Sequence, residues 1–152
     1  MRYVFSFVLL SFAAFALPKQ AAAQEAPFLY DCAITRGGKT GTWVSPRLVI
    51  GTTEPGKYFA VDELILAVNG GPLPVRTRLR GDRLIAEWTF ENLRDSLGQR
   101  TPDFSFQATL NTTRNTVRFF ARPSLNSQTF SGSGTCRKLT DTDFNPNILL
   151  NN

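Results

Sequence analysis

Apolar and polar residues alternate over short stretches along most of this chain, and clusters of Gly, Pro and Asn separate the stretches. Val, Ile, Phe, Thr and Trp are common in the stretches, and no window carries a sustained apolar stripe at helical spacing. The pattern predicts an all-β domain, a small antiparallel β-barrel or β-sandwich of about eight short strands. The predicted strands are 28–34, 43–51, 58–68, 75–80, 83–90, 104–110, 116–121 and 129–137.

The most sharply specified unit is a predicted hairpin over residues 75–90. A two-residue Gly-Asp turn at its centre places Arg80 opposite Arg83. One face of the hairpin is then apolar and consists of Val75, Thr77, Leu79, Leu84, Ala86 and Trp88. A shift of one residue would turn the arginines of the other face into the core, so the register is strongly specified. It places Arg76 opposite Glu87, where we expect a cross-strand ion pair.

A second predicted hairpin repeats this logic over residues 104–121, with a four-residue loop at 112–115. Its inward side chains are Phe104, Phe106, Ala108, Leu110, Val117, Phe119 and Ala121, and Phe120 points outward. The outward arginines of both hairpins form what we call the arginine face: Arg76, Arg78, Arg80, Arg83, Arg118 and Arg122. Guanidinium groups match phosphate and carboxylate groups, so this face is a candidate site for an anionic partner. The alternative is that alternating arginines keep a sheet soluble and discourage edge pairing.

The N-terminal segment has the order of a secretory signal peptide. A basic residue precedes an apolar run over residues 4–17, which is shorter than the roughly 20 residues that span a bilayer, and a proline and an Ala-x-Ala site follow. We expect cleavage after Ala23, and a retained signal anchor is the alternative. Residues 24–138 then form a single β domain and residues 139–152 a flexible tail. The mature chain is expected to be a periplasmic or secreted monomer without a transmembrane segment.

The chain has two cysteines, Cys32 and Cys136. Because an exported chain matures where disulfides persist, we predict a bond between them that ties the two ends of the domain together. A free thiol pair and a metal site are the alternatives, but two thiols in a chain without histidine are at most half a zinc site. Cys136 closes the sequence FSGSGTC at 130–136, whose small residues let a final strand approach its neighbours or bulge.

Composition narrows the classes of function. The chain has 17 Lys and Arg against 12 Asp and Glu, for a net charge of +5, without the dense basic clusters of nucleic-acid binders, so we expect no nucleic acid partner. Histidine is absent, which excludes the usual serine and cysteine triads and leaves Ser133 without a base. Among the acids, Asp62 and Glu63 would face opposite sides of a strand, and Glu87 and Glu91 would lie roughly 13 Å apart. We therefore expect a protein that is not an enzyme and holds no cofactor or metal.

Several segments occur in a recognisable order: YDCAI at 30–34, WVSPRLVI at 43–50, NGGPLP at 69–74, IAEWTF at 85–90 and SGSGTC at 131–136. This order resembles a group of small exported proteins of unknown function from Gram-negative bacteria. The resemblance implies export and a disulfide, and nothing about a ligand.

The architecture is also similar to that of the periplasmic C-type lysozyme inhibitors, which are small β-barrels with a disulfide. Their inhibitory loop has serine and glycine followed by an aromatic residue. Here Ser131 and Gly132 are followed by Ser133 and Gly134, so none of these residues can be assigned that role.

The sequence thus favours an exported, non-catalytic binding or inhibitor-like module of the cell envelope. Its expected partner is an anionic envelope component or an envelope protein. A small-ligand carrier with a hollow β-barrel and a carboxylate-dependent hydrolase are the alternatives. A barrel interior filled with aromatic side chains would oppose the first, and the second needs two acids within about 10 Å in a cleft.

Overall fold

The computed structural model describes residues 28–37, 43–94, 97–125 and 127–139. Nine strands and one short helix lie within these ranges. They are β1 (Phe28–Gly37), β2 (Arg47–Glu54), β3 (Lys57–Val61), α1 (Glu63–Asn69), β4 (Leu73–Pro74), β5 (Arg76–Arg80), β6 (Arg83–Phe90), β7 (Phe104–Asn111), β8 (Thr116–Pro123) and β9 (Phe130–Leu139). The predicted signal peptide, and the predicted tail beyond residue 139, lie outside the described residues.

The strands form one antiparallel sheet in the order β4-β3-β2-β1-β9-β8-β7-β6-β5. Neighbours in the sheet are neighbours along the chain, except that β1 pairs with β9. β4 and β5 stand at opposite ends of this order but are separated only by Val75, whose N–H donates to the carbonyl of Tyr58 in β3 at 3.1 Å. One stretch of chain therefore pairs first with β3 and then with β6, and the sheet is a nearly closed barrel. This confirms the all-β prediction in its barrel form.

The barrel interior is filled by apolar side chains from almost every strand. At the centre, Trp88 is 7% exposed and stacks on Phe106 with a centroid distance of 5.6 Å, and Phe119 lies against both rings. Trp43, just before β2, stacks on Phe104 at 3.8 Å near one end of this cluster. The aromatic residues that sequence patterning assigned to the core are therefore packed against one another, and burial of this kind is the main favourable contribution to folding.

Both predicted hairpins have the expected register. In the first, Arg80 pairs with Arg83 and Thr77 with Ala86. In the second, the loop 112–115 connects β7 to β8, and the predicted inward residues are buried. The apolar face of the first hairpin was predicted to run from end to end, and this is wrong at Leu79, which is 57% exposed. Leu79 lies on β5, at the end of the strand order, and is exposed although its cross-strand partner Leu84 is buried.

The predicted strand 58–68 is wrong in its second half. β3 ends at Val61, and α1 follows at once. Asp62 caps this helix, since its carboxylate accepts the N–H of Ile65 at 2.6 Å, and Gly70 ends it with a left-handed φ of 72°. Asp and Gly are common helix-capping residues, but the apolar residues between Asp62 and Gly70 also suit a strand. Within the described ranges no helix has the length and apolar character needed to cross a bilayer.

The predicted disulfide is present between Cys32 and Cys136, with an S–S distance of 2.10 Å. The two residues are direct cross-strand partners on β1 and β9. The pairing of these strands runs without a register shift through the glycines of FSGSGTC, so β9 approaches β1 closely and does not bulge. The disulfide thus lies within the one strand pairing that joins the two ends of the described chain.

Candidate functional site

The arginine face lies on the outer surface of β5, β6 and β8. All six of its side chains are exposed, and they alternate with inward residues as the sequence predicts. β7 lies between β6 and β8 and presents polar side chains outward. Three cross-strand rows result: Arg76, Glu87, Gln107 and Phe120; Arg78, Ile85, Thr109 and Arg118; Arg80, Arg83, Asn111 and Thr116. Cations therefore stand at both sides of a polar strip.

One acid on this surface, Glu87, pairs with Arg78. The same carboxylate oxygen, Oε1, also accepts from Nε2 of Gln107 at 2.8 Å. The predicted ion pair between Arg76 and Glu87 is thus wrong, although the register that suggested it is right. A long side chain reaches its diagonal neighbour as easily as the residue directly opposite, and here the diagonal contact forms.

The remaining arginines of the face have no such partner. Within the described part of the chain, no carboxylate lies at ion-pair distance from the other five, which are Arg76, Arg80, Arg83, Arg118 and Arg122. The Arg122 guanidinium lies 5.6 Å from the ring centroid of Phe120, as a cation over an aromatic face. No acid of the described residues therefore neutralises these five guanidinium groups.

Arg47 shows the contrasting case on the other side of the barrel. Its Nε and Nη2 donate to the two oxygens of Asp31 at 2.8 and 2.9 Å, and Arg137 approaches the same carboxylate at 3.5 Å. The bidentate bond to Asp31 raises the pKa of Arg47. Arg47 is thus matched by an acid, unlike the five members of the arginine face that have no carboxylate at ion-pair distance among the described residues.

Two grooves border the arginine face, with Phe120 as a wall of both. The first has a volume of about 600 Å³, and its charged lining consists of Arg76, Arg122, Glu87 and Glu91. Its positive and negative groups are equal in number. Glu87 and Glu91, considered above as a hydrolase pair, both border this groove, but Glu87 accepts hydrogen bonds from Arg78 and Gln107.

The second groove has a volume of about 350 Å³ and lies toward the loop 112–115. Among the described residues, its charged lining consists of Arg83, Arg114 and Arg118, with no acid. Arg114 was not among the predicted site residues, because a loop residue has no strand periodicity to assign its direction. The structure therefore divides the arginine face: two of its members line each groove, and Arg78 and Arg80 line neither.

A separate buried group, Asp62, lies at the start of α1. Burial raises the pKa of its carboxyl group to about 6, although bonds from the Ile65 N–H, the Ser45 hydroxyl and the Leu64 N–H favour the charged form. Exposed Glu63 beside it adds a small upward shift in the pKa. The carboxyl group of Asp62 therefore titrates near neutral pH inside the folded domain.

Asp62→Asn should make the protein more stable at pH 8 relative to the natural chain, and the gain should vanish near pH 4. The folded pKa of about 6 lies above the ordinary value of 3.8, so the stability that Asp62 contributes is complete below pH 3.8 and is lost as the pH rises to about 6. Asn caps a helix as well as Asp but does not ionise. The gain should reach about 3 kcal/mol, measured by urea unfolding at both pH values.

The other acids are common to Asp62→Asn and the natural chain. Comparing these two proteins at each pH therefore cancels the contribution of those acids to the pH dependence of stability. Glu63→Gln, which removes one negative charge from an exposed neighbouring position, is the matched control. A stability difference between Asp62→Asn and the natural chain that is equal at pH 4 and pH 8 would contradict the assignment.

Other candidate chemistry is not assembled. Ser133 is exposed on β9, opposite Arg118 of β8. Within the described ranges, no three metal-ligating Cys, Asp or Glu side chains come together.

Comparison with protein-family models, curated proteins and solved structures finds no match for this chain. The resemblances to exported proteins of Gram-negative bacteria and to lysozyme inhibitors therefore stay predictions, and function must be argued from the outer surface itself.

Proposed function

We propose that this chain is an exported, non-catalytic binding module of the bacterial cell envelope, periplasmic or secreted, that captures an anionic partner on the outer face of β5–β8. The signal-like pattern of residues 1–23 and the Cys32–Cys136 disulfide support export, since disulfides persist in oxidising compartments. The observation that carries the binding role is a set of five arginines on one surface, none of which has a carboxylate of the described residues at ion-pair distance.

Protection of a sheet edge does not account for these arginines. Charged side chains discourage pairing with other chains where a strand has an open edge. β6 and β8 each have a paired strand on both sides, so Arg83, Arg118 and Arg122 guard no edge. Only Arg76 and Arg80, on β5 at the end of the strand order, could serve that purpose. Recognition of an anion explains both groups together, because guanidinium forks match phosphate and carboxylate oxygens.

The interior and the acids favour neither alternative function. A carrier needs an internal cavity, but the described interior positions hold Trp88, Phe104, Phe106 and Phe119, all buried. A hydrolase needs one carboxyl group free to exchange a proton, whereas Oε1 of Glu87 already accepts from both Arg78 and Gln107. The solvent-facing arginines thus remain the most direct basis for a function.

Replacing Arg76, Arg83, Arg118 and Arg122 together with Gln should reduce binding to isolated envelope fragments of a Gram-negative bacterium at least about tenfold, measured by co-sedimentation. Glutamine keeps part of each side-chain stem and removes the charged guanidinium group. Binding of the natural chain should also fall as salt is added, because these charges are exposed and screened.

The matched control carries the same loss of four charges on other exposed residues: Lys57, Arg94, Arg100 and Lys138, each replaced by Gln. This control should bind as the natural chain does. Equal binding by the two quadruple variants, or no binding by the natural chain, would overturn the proposed function.

A further inference from the structure

We propose that the second groove is a site for a phosphate monoester, and that its ligand is a phosphorylated sugar whose ring lies against Phe120. This inference rests on the proposed function, because it names the chemical class of anion that the outer face captures. It begins from three arginines that line the groove, Arg83, Arg114 and Arg118, where no acid of the described residues joins them in the lining.

The arginines approach the groove from three separate elements. Arg83 opens β6, Arg118 lies on β8, and Arg114 lies in the loop between β7 and β8. A carboxylate has two oxygens and one charge, and one guanidinium fork satisfies it. A phosphate monoester has three terminal oxygens and a charge of roughly −1.5 to −2 at neutral pH. Three forks around one groove therefore fit a phosphate monoester better than a carboxylate.

The loop that carries Arg114 is held in place before any ligand binds. Oδ1 of Asn111 accepts the N–H groups of Thr113 and Arg114 at 3.1 and 2.7 Å. Nδ2 of Asn111 donates to the carboxylate of Asp82 at 2.6 Å. The N–H of Thr112 donates to the carbonyl of Asp82 at 2.8 Å, which joins the turns of the two hairpins. Asp82 is thereby engaged in supporting the loop, and the site is organised in advance, which lowers the entropic cost of binding.

The remaining lining suits the sugar. The groove of about 350 Å³ is larger than a phosphate group alone requires, and it falls within the size range of small-molecule sites. Thr109 and Thr116 add hydroxyl groups to the lining, and half-buried Phe120 adds an aromatic wall. Hydroxyl groups and an aromatic ring complement the polar edges and apolar faces of a sugar.

The first groove provides an internal contrast. It contains two arginines of the same face, but Glu87 and Glu91 accompany them, so a dianion gains little there. Removing two charges from either groove changes the net charge of the protein equally. Only the removal of two charges from the second groove should weaken the binding of a phosphate monoester.

The test is a binding titration of the mature chain with glucose 1-phosphate at fixed ionic strength, followed by NMR. Arg83→Gln with Arg118→Gln should weaken binding at least about tenfold, and Arg76→Gln with Arg122→Gln should change it less than about twofold. Glucuronate, a sugar that carries a carboxylate, should bind the natural chain more weakly than glucose 1-phosphate. Near-ultraviolet circular dichroism of each variant confirms that its tertiary packing is intact.

Two kinds of vesicle distinguish a lipid-borne monoester from a soluble one. Binding to phosphatidic acid vesicles but not to phosphatidylglycerol vesicles, without binding of glucose 1-phosphate, would place the monoester on a lipid and overturn the sugar.

An equal loss of glucose 1-phosphate binding in both double variants would overturn the groove as a discrete site and leave capture by the whole face. Equal binding of glucuronate would overturn the phosphate class. If the natural chain binds none of these probes but still binds envelope fragments, this inference fails and the proposed function stands. If it binds neither, both fail.

Discussion

Gly134→Ala is expected to destabilise the domain by at least about 4 kcal/mol and to leave little folded protein at room temperature. A methyl group at this position would lie 1.8 Å from the carbonyl oxygen of Ala33 and within 3 Å of the Ala33 carbonyl carbon and the Ile34 Cα. These atoms belong to the backbone of β1, so no side-chain rotation can relieve the clash. β1 and β9 would have to separate at the strand pairing that joins the two ends of the domain. Urea unfolding followed by circular dichroism measures the loss.

The domain should lose less stability when two other glycines of the same strand pair are replaced by Ala. A methyl group on Gly132 would meet the side chains of Ile34 and Val44 at 2.6 and 3.0 Å, which can partly give way, and the carbonyl oxygen of Thr35 at 3.1 Å. Gly132→Ala should therefore cost about 1 to 3 kcal/mol. On Gly37 it would lie 3.5 Å from its nearest neighbour, an ordinary contact, so Gly37→Ala should change stability by less than about 0.5 kcal/mol. Similar losses for Gly134→Ala and Gly37→Ala would show that close approach of the strands does not explain the glycines.

These glycines show how far the sequence alone reaches. The chemistry of FSGSGTC predicts a strand that comes close to its neighbours, and this is correct. Which glycine is indispensable depends on the register between β1 and β9, because it places Gly134 opposite Ile34. Those two strands are about a hundred residues apart in the chain, and no local turn specifies their register. By contrast, the Gly-Asp turn and the alternating arginines specify the register of β5 and β6 locally, and that prediction is confirmed.

The features that the sequence did not predict have a common physical origin. Asp62 begins a helix because its carboxylate caps the chain, but the apolar residues after it suit a strand equally well, and tertiary packing decides between them. Arg76 stands opposite Glu87 as predicted, yet the ion pair forms with Arg78, since rotamers and not register choose among neighbouring side chains. Arg114 joins the second groove because Asn111 fixes a loop, a contact that periodicity does not report. Strand patterns thus predict faces, whereas individual contacts need the three-dimensional structure.

Breaking the Cys32–Cys136 bond should lower the free energy of unfolding by about 4 kcal/mol. The two residues are 104 positions apart, and a cross-link over so long a loop restricts the unfolded chain strongly. The other strand pairings connect neighbours along the chain, so only β1 with β9 must close a long loop, and the disulfide lies in that pairing. A loss of this size is a large part of the roughly 5 to 15 kcal/mol that stabilises an ordinary domain. The urea midpoint should fall by about 2 M or more.

Two forms of the protein separate the cross-link from the packing of its sulfur atoms. The reduced natural chain keeps both sulfurs, so its difference from the oxidised chain measures the cross-link alone. Replacing Cys32 and Cys136 with Ala also removes their side-chain contacts, and the double variant should be less stable again because Cys32 is fully buried. Hydrogen exchange of the reduced chain should lose protection first in β1 and β9, while the hairpins β5–β6 and β7–β8 keep theirs. A reduced chain within about 1 kcal/mol of the oxidised one would mean that strand pairing alone closes the barrel.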